Sequence, residues 1–159
     1  MFKSNKIMKK LFSSREFKKA QIVMFYASKA EEVNTYTMID EALKMGKKVA
    51  LPHCTSQKTI IPKEITSKDK DLEKGEYGVY EPKERCNNIE PKDIDLVIVP
   101  GLAFDKKNIR LGRGKGYYDR FLKDLPERIS SIGVAFDFQI IGTLPKDSHD
   151  VPVSKVITD

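Results

Sequence analysis

Two short apolar runs constrain the fold of this chain more than any other feature of its sequence. Residues 21–26 and 94–99 lack the alternation of polar and apolar positions that a half-exposed strand shows. Such runs are typical of strands that are buried on both faces in a parallel sheet. A helical pattern from about 35 to 45 follows the first run, and a further strand at 48–51 is closed by Pro52. Strand, helix and strand in this order predict a βαβ unit.

The rest of the chain extends this α/β pattern. The further elements that the sequence predicts are an amphipathic helix within residues 3–19, a helix at about 115–122, and strands at 129–136 and 153–158. Residues 53–92 contain three prolines and many charges, so they predict a loop-rich excursion with room for a small hairpin that covers a site. We therefore expect one three-layer α/β/α domain over residues 1–159, with a mainly parallel sheet.

The composition argues against several classes of protein. With 40% hydrophobic and 33% charged residues it is typical of a soluble globular domain, and no apolar run approaches the ~18 residues that a membrane helix needs. The residues after Met1 lead into no apolar signal-peptide core, so we expect a cytoplasmic protein. Cys54 and Cys86 lie outside any CxxC pattern, which argues against a zinc site or a disulfide framework. The net charge of +6 comes largely from scattered lysines, so we expect a monomer that binds an acidic small ligand and neither nucleic acid nor membrane.

A glycine-rich stretch is the strongest indication of function. Residues 110–119 read Arg-Leu-Gly-Arg-Gly-Lys-Gly-Tyr-Tyr-Asp. The three glycines let the backbone bend and present successive N–H groups, while Arg113 and Lys115 add positive charge, an arrangement that suits a chain of phosphates where a helix begins. The spacing matches neither a Walker A loop nor a GxGxxG dinucleotide motif, and a purely structural turn is the alternative. The interleaved cations favour phosphate binding.

Two aspartates are candidate metal ligands. Asp119 directly follows the glycine-rich stretch, where it could hold a metal ion that accompanies phosphates, or could simply favour the helix dipole. Asp150 lies in a polar loop between two prolines, and a solvated turn is the alternative there.

Other side chains are candidates for contact with a polar ring. Glu31 and Glu32 follow the first predicted strand at the edge where ligands bind to parallel sheets. Tyr77 and Tyr80 could stack on a ring, or pack over the core. His53 is more typical of a structural role. The sequence contains no recognisable nucleophile with an activating base, which favours chemistry by positioning and electrostatics.

Longer stretches resemble the signature of a known family. Residues 100–105 read Pro-Gly-Leu-Ala-Phe-Asp, and 110–122 continue the glycine-rich stretch with Arg-Phe-Leu. Together they resemble the signature of 5-formyltetrahydrofolate cyclo-ligase, also called methenyltetrahydrofolate synthetase. Residues 32–35, 78–82 and 139–150 are similar to the family's E-V-x-T, G-I-x-E-P and Q…LP…HD stretches.

The resemblance implies a reaction and a set of site residues. The reaction is the ATP- and magnesium-dependent closure of 5-formyltetrahydrofolate to 5,10-methenyltetrahydrofolate, with release of ADP and phosphate. The residues that would cradle the ATP phosphates and the reactive end of the folate are Arg110, Leu111, Gly112, Arg113, Gly114, Lys115, Gly116, Tyr117 and Tyr118. Within this set, Arg113, Lys115 and Tyr118 would act in catalysis. Asp119 and Asp150 would hold Mg²⁺. The folate-binding residues would be Glu32, Tyr77 and Tyr118.

The chain departs from the family pattern at two places. Members usually begin with a further helix whose Lys and Arg reach the ATP phosphates, whereas this sequence predicts a start after that helix. Its candidate substitutes are Lys3, Lys6, Lys9 and Lys10. A non-catalytic folate- or nucleotide-binding protein of the same fold is therefore an alternative, and an RNA-associated basic protein is another that rests on charge alone. Asn108 stands where glycine is usual, and because asparagine tolerates a left-handed backbone we expect the turn to be kept.

Overall fold

A six-stranded sheet forms the centre of the fold in the computed structural model, which describes residues 2–75 and 78–159. In chain order the strands are β1 (Ile22–Met24), β2 (Lys48–Cys54), β3 (Ile60–Ile65), β4 (Leu72–Lys74), β5 (Tyr80–Pro82), β6 (Leu96–Val99), β7 (Ala103–Asp105), β8 (Arg110–Leu111), β9 (Ser130–Ala135), β10 (Ile140–Ile141) and β11 (Lys155–Thr158). The order in the large sheet is β11-β9-β6-β1-β2-β3, and each neighbouring pair is parallel except β2 with β3. The prediction of a mainly parallel sheet is confirmed.

The helices cover both faces of this sheet. They are α1 (Phe2–Ser13), α2 (Arg15–Lys19), α3 (Tyr36–Lys44), α4 (Lys68–Asp71) and α5 (Tyr117–Lys123). Val23 of β1 belongs to a buried cluster with Leu11 of α1 and Ile39 of α3, whereas the next residue, Met24, belongs to a second cluster with Phe121 of α5. Successive strand residues thus face opposite layers, which confirms the three-layer arrangement. Across the described residues, no helix is long and apolar enough to cross a membrane.

Two predicted boundaries were wrong. The helix expected within residues 3–19 is interrupted at Ser14, whose Oγ accepts a 3.2 Å hydrogen bond from the Phe17 N–H and so starts α2. Pro52 does not close β2, because the strand continues to Cys54 with Pro52 directly opposite Pro62 of β3. Since neither proline can donate, this pair can only occupy a non-hydrogen-bonded position of an antiparallel ladder, where no N–H is needed.

The predicted excursion at residues 53–92 is more regular than its composition indicated. It begins with the end of β2 and supplies β3, which forms the edge of the large sheet, so a mainly loop-like segment was the wrong expectation. The prediction of a small hairpin in this segment is confirmed, because β4 pairs with β5 in antiparallel register. This hairpin reaches the cavity described below.

A second small sheet lies between the core and the glycine-rich stretch. The sequence led us to expect that stretch directly after the buried strand β6, but β7 and β8 form an antiparallel hairpin in between, with β10 on the other side of β7. Asn108 lies in the hairpin turn with φ +64°, and its Nδ2 donates to the Ser154 carbonyl at 3.2 Å. The expected left-handed turn is therefore confirmed.

Asp105 holds this hairpin together and makes its stability dependent on pH. Its Oδ1 accepts from the N–H groups of Lys107 and Ile109 at 2.9 and 3.0 Å, and its Oδ2 accepts from the Leu144 N–H at 2.9 Å. The bond from Leu144, together with the other N–H groups, lowers the pKa of the carboxyl below its ordinary value. A lowered folded-state pKa stabilises the protein above the unfolded-state value of about 3.9 and ceases to do so as the pH falls through the folded-state pKa.

We therefore expect Asp105→Asn to be less stable than the wild type at pH 6, with a difference that shrinks below about pH 4. Asparagine retains one acceptor oxygen, replaces the other with an NH₂ donor and does not titrate, so the change of the stability difference with pH reports the titration of Asp105. Urea unfolding of both proteins between pH 3 and pH 6 measures the two free energies of unfolding. A difference that stays constant over this range would contradict the assignment.

Candidate active site

A cavity of about 430 Å³ opens at the carboxyl ends of the central strands. Ala27 follows β1, Pro52 and Cys54 end β2, and Pro100 follows β6, and all four line the cavity. This is the edge at which ligands bind to open parallel sheets. The site residues predicted from the sequence that line it are Glu32, Tyr80, Arg110, Gly112, Arg113, Lys115, Gly116, Tyr117 and Tyr118.

The other predicted residues lie elsewhere or cannot be placed. Leu111, Gly114, Asp119 and Asp150 are outside the cavity lining, although Asp119 touches it through Arg110 as described below. Tyr77 lies outside the described residues. The lining also contains side chains that the sequence did not single out, among them Lys29, Cys54 and Glu81.

The glycine-rich stretch forms one wall of the cavity as an irregular loop. Gly114 and Gly116 have φ values of +92° and +70°, in the left-handed region that favours glycine. Because Gly116 is left-handed, α5 begins at Tyr117 and not near residue 115 as predicted. Lys115 therefore belongs to the loop, where its backbone and side chain both lie at the cavity.

Arg110 lies at the base of the cavity and is almost completely enclosed, with 7% of its side chain exposed. Its Nη1 donates to the Pro100 carbonyl at 3.2 Å, its Nη2 lies 3.8 Å from Asp119 Oδ1, and its guanidinium lies 5.5 Å from the Tyr118 ring centre. Its Nε is buried without a hydrogen-bond partner among the described residues. Burial lowers the pKa of the guanidinium and the Asp119 charge opposes that shift. A buried cation with an unused donor is suited to bind an anion.

The arginine fits only because two neighbouring residues are glycines. A Cβ at Gly112 would lie 2.9 Å from Arg110 Nη1, and a Cβ at Gly101 would lie 3.0 Å from Arg110 Cγ and 2.8 Å from Phe104 Cζ. These glycines are thus needed for close packing around Arg110.

Tyr118 and Glu32 lie near each other in a less basic part of the site. Burial raises the pKa of the Tyr118 hydroxyl well above its ordinary value, with the nearby Cys54 and Glu32 adding to the shift and Arg110 opposing it. Burial likewise raises the pKa of Tyr26, with Glu32 and Tyr118 contributing. Both hydroxyls therefore remain protonated at neutral pH and can donate. Burial, followed by Glu81, raises the pKa of the Cys54 thiol to about 11, so Cys54 is not a thiolate nucleophile.

Arg113 lies at the mouth of the cavity. Its Nη2 is 3.3 Å from Glu31 Oε1, and the two side chains are 47% and 64% exposed. An ion pair this exposed contributes little to stability, so an incoming anion can displace Glu31 at small cost. The four N-terminal lysines named as candidate substitutes, Lys3, Lys6, Lys9 and Lys10, do not line the cavity, and Lys10, for example, donates to the carbonyls of Thr158 and Asp159.

Asp119 and Asp150 have the donor chemistry that Mg²⁺ uses. Asp119 Oδ1 accepts from the Val151 N–H at 3.3 Å, which brings it next to Asp150, whose Oδ2 accepts from the Asp147 N–H at 2.8 Å. The described residues contain no group of three or more His, Cys, Asp or Glu side chains arranged to hold a metal ion. Mg²⁺ usually takes only one or two carboxylates and completes its shell with water and phosphate oxygens, so the pair fits. Magnesium binding here stays a prediction.

The β4–β5 hairpin covers one side of the site. Val79, Tyr80 and Glu81 line the cavity, and Glu81 Oε1 accepts from the Cys54 N–H at 3.0 Å, which fastens the hairpin to the end of β2. The Tyr80 ring meets Tyr36 edge-on with 6.3 Å between ring centres. A neighbouring cavity of about 500 Å³ shares Lys29, Glu32, Val79 and Tyr80 with the first and extends it toward Tyr36.

Comparison with known proteins gives a consistent result. The sequence model of the "5-formyltetrahydrofolate cyclo-ligase family" matches residues 1–159. The chain is 34% identical to a probable 5-formyltetrahydrofolate cyclo-ligase of Caenorhabditis elegans over 95% of its length and 79% of that protein. It is 30% identical to the 5-formyltetrahydrofolate cyclo-ligase of Mus musculus, over 95% of its length and 79% of that protein.

Solved structures agree with these relatives. The structure of the Aquifex aeolicus 5,10-methenyltetrahydrofolate synthetase superposes with a TM-score of 0.84 at 37% identity, covering 98% of this chain and 77% of that one. The structure of a Mycoplasma pneumoniae 5,10-methenyltetrahydrofolate synthetase superposes with a TM-score of 0.78 at 28% identity, covering 99% of this chain and 85% of that one.

Proposed function

This chain belongs to the 5-formyltetrahydrofolate cyclo-ligase family, and we propose that it uses ATP to close 5-formyltetrahydrofolate to 5,10-methenyltetrahydrofolate with release of ADP and phosphate. The observation that carries this proposal is the buried Arg110 at the base of a cavity, between a cationic glycine loop and a wall with Glu32 and Tyr118. That arrangement offers one region for phosphates and another for a polar ring. We further propose that the protein acts in the cytoplasm as a monomer and needs no nucleic acid.

The phosphate side of the site is assigned to the loop. In the proposed reaction the formyl oxygen attacks the γ-phosphate, and N10 of the folate then displaces the resulting phosphate as the ring closes. Arg110, Arg113 and Lys115 would bind the phosphates and stabilise the charge that develops on them, and the backbone N–H groups from Gly112 to Gly116 would add donors. Mg²⁺ held by Asp119 and Asp150 would neutralise part of the phosphate charge.

The folate side is assigned to Glu32 and the tyrosines. The Glu32 carboxylate would accept from the polar edge of the pterin, while its Oε1 also accepts from the Lys29 N–H at 2.7 Å, which fixes its direction. The protonated Tyr118 hydroxyl would donate near the reacting formyl group, and Tyr77 would contact the ring. No protein nucleophile is required, because the phosphoryl group moves directly between the two substrates.

A turnover assay tests the proposal directly. We expect the protein, given 5-formyltetrahydrofolate and MgATP, to form a product with the near-ultraviolet absorbance of the methenyl compound. Formation should stop when ATP is replaced by ADP or when EDTA removes the metal ion. If 5-formyltetrahydrofolate raises the melting temperature but no product forms, the protein is a non-catalytic binder, and the proposed activity is wrong.

A further inference from the structure

Arg120 joins the glycine loop in the cavity wall to a turn that is far from it in the sequence. From α5, its Nη2 donates to the Lys115 carbonyl at 2.8 Å and to the Lys58 carbonyl at 2.8 Å. Its Nε donates to the same Lys58 carbonyl at 3.3 Å. One guanidinium therefore holds the glycine loop and the turn between β2 and β3 at the same time.

The turn that contains Lys58 is itself well fixed. Lys58 has φ +63°, the Thr55 N–H donates to the Thr59 carbonyl at 2.9 Å, and the two threonine hydroxyls lie 2.6 Å apart. This turn follows Cys54 at the end of β2, where the chain lines the cavity. It is consequently a hydrogen-bonded support to which the backbone of the glycine-rich loop, where glycine permits many conformations, can be fastened.

Gly116 leaves space in the loop for the Arg120 guanidinium. A Cβ at Gly116 would lie 2.8 Å from Arg120 Nη1, so any larger residue would push the arginine away from the Lys115 carbonyl. The guanidinium also lies 5.8 Å from the ring centre of Tyr117, which lines the cavity. The planar fork of arginine, unlike an ammonium group, can reach two carbonyls in fixed directions.

We infer that Arg120 is a positioning residue, which sets the backbone of residues 113–116 and thereby the direction in which Lys115 meets a bound phosphate. Arg120 is absent from the cavity lining and so acts through the loop. The expected change in the KM for ATP rests on the proposed function, whereas the expected change in the loop backbone does not. Misplacing a binding group by about an ångström is enough to weaken catalysis strongly.

Two measurements on Arg120→Ala test the inference. Amide hydrogen exchange should become faster at residues 112–117 and stay unchanged in the large sheet. The KM for ATP should rise about tenfold, while the KM for 5-formyltetrahydrofolate changes by less than about twofold. Arg128→Ala is the matched control, because Arg128 also donates to a backbone carbonyl, that of Lys92, but far from the cavity lining. This control should alter neither measurement.

A double-mutant cycle separates positioning from general stability. If Arg120 acts through Lys115, then Arg120→Ala should have little further effect on the KM for ATP once Lys115→Ala is present. Full additivity, or an equal rise in both KM values, would overturn the inference, as would unchanged exchange in the loop. If the wild type shows no turnover, the proposed function fails, whereas the exchange measurement still decides whether Arg120 holds the loop.

Discussion

Replacing Arg110 with methionine is expected to lower kcat/KM by about 10²-fold or more while the protein stays folded. The loss follows from removing a cation that is enclosed at the base of the cavity, where the surroundings make a charge more effective than at the surface. Stability should fall by about 1–3 kcal/mol, because methionine fills most of the volume but leaves the Pro100 carbonyl without its donor and Asp119 without its ion pair. Steady-state kinetics and thermal unfolding of the same preparation give both quantities.

A second substitution tests whether the charge alone is sufficient. Arg110→Lys keeps the positive charge but cannot donate to Pro100 and to a phosphate at once, so we expect it to recover only part of the activity. An Arg110→Met protein that stays folded at the assay temperature and keeps the kcat/KM of the wild type would show that the proposed anion site at the base of the cavity is wrong.

Replacing Phe104 with alanine is expected to cause the largest loss of stability, about 3–5 kcal/mol. The ring is completely buried in the hairpin between β6 and the glycine loop, and Phe104 lies directly opposite Arg110 in the register of β7 with β8. Gly133 of β9 leaves room for the ring, since a Cβ there would lie 2.6 Å from Phe104 Cε1. Urea unfolding measures the change, and activity should fall as well because the support beneath Arg110 is lost.

Phe138→Ala is the matched control for this prediction. Phe138 is 72% exposed, so the same chemical change should alter the free energy of unfolding by less than about 0.5 kcal/mol. Equal losses for the two variants would mean that burial of Phe104 does not determine the stability of the hairpin.

The sequence was sufficient to predict the parts of the fold that depend on local patterns. The buried runs at 21–26 and 94–99 contain β1 and β6, and the helical pattern near 35–45 contains α3, because uninterrupted apolar runs and one-sided apolar periodicity each correspond to one kind of element. The end of β2 was wrongly predicted at Pro52, because a strand can continue through this proline when Pro62 lies opposite it. Only the pairing of β2 with β3 determines that position.

The site was predictable for residues within one motif and not for residues brought together by the fold. The glycine loop was found from its glycines and interleaved cations, and Glu32 was found from its place after the first predicted strand and from the resemblance to the family. The burial of Arg110 could not be read from the sequence, because it depends on the β7–β8 hairpin. Cys54 and Glu81 were missed for the same reason, since their contact joins β2 to β5. Arg120 gave a weak signal only, as an arginine shortly after the loop.

The order of strands in the large sheet has a consequence for how the protein acquires its structure during synthesis. β1 lies between β2, which follows it closely along the chain, and β6, which is made only after the whole segment that contains β3, β4 and β5. The first βαβ unit therefore emerges with one edge of its central strand unpaired, and closing that edge requires a long-range contact that slows folding. Because the glycine loop follows β6 along the chain, the ribosome supplies β1, β2 and β6 before the loop, whereas β9 and β11, which complete the hydrophobic centre, come after it.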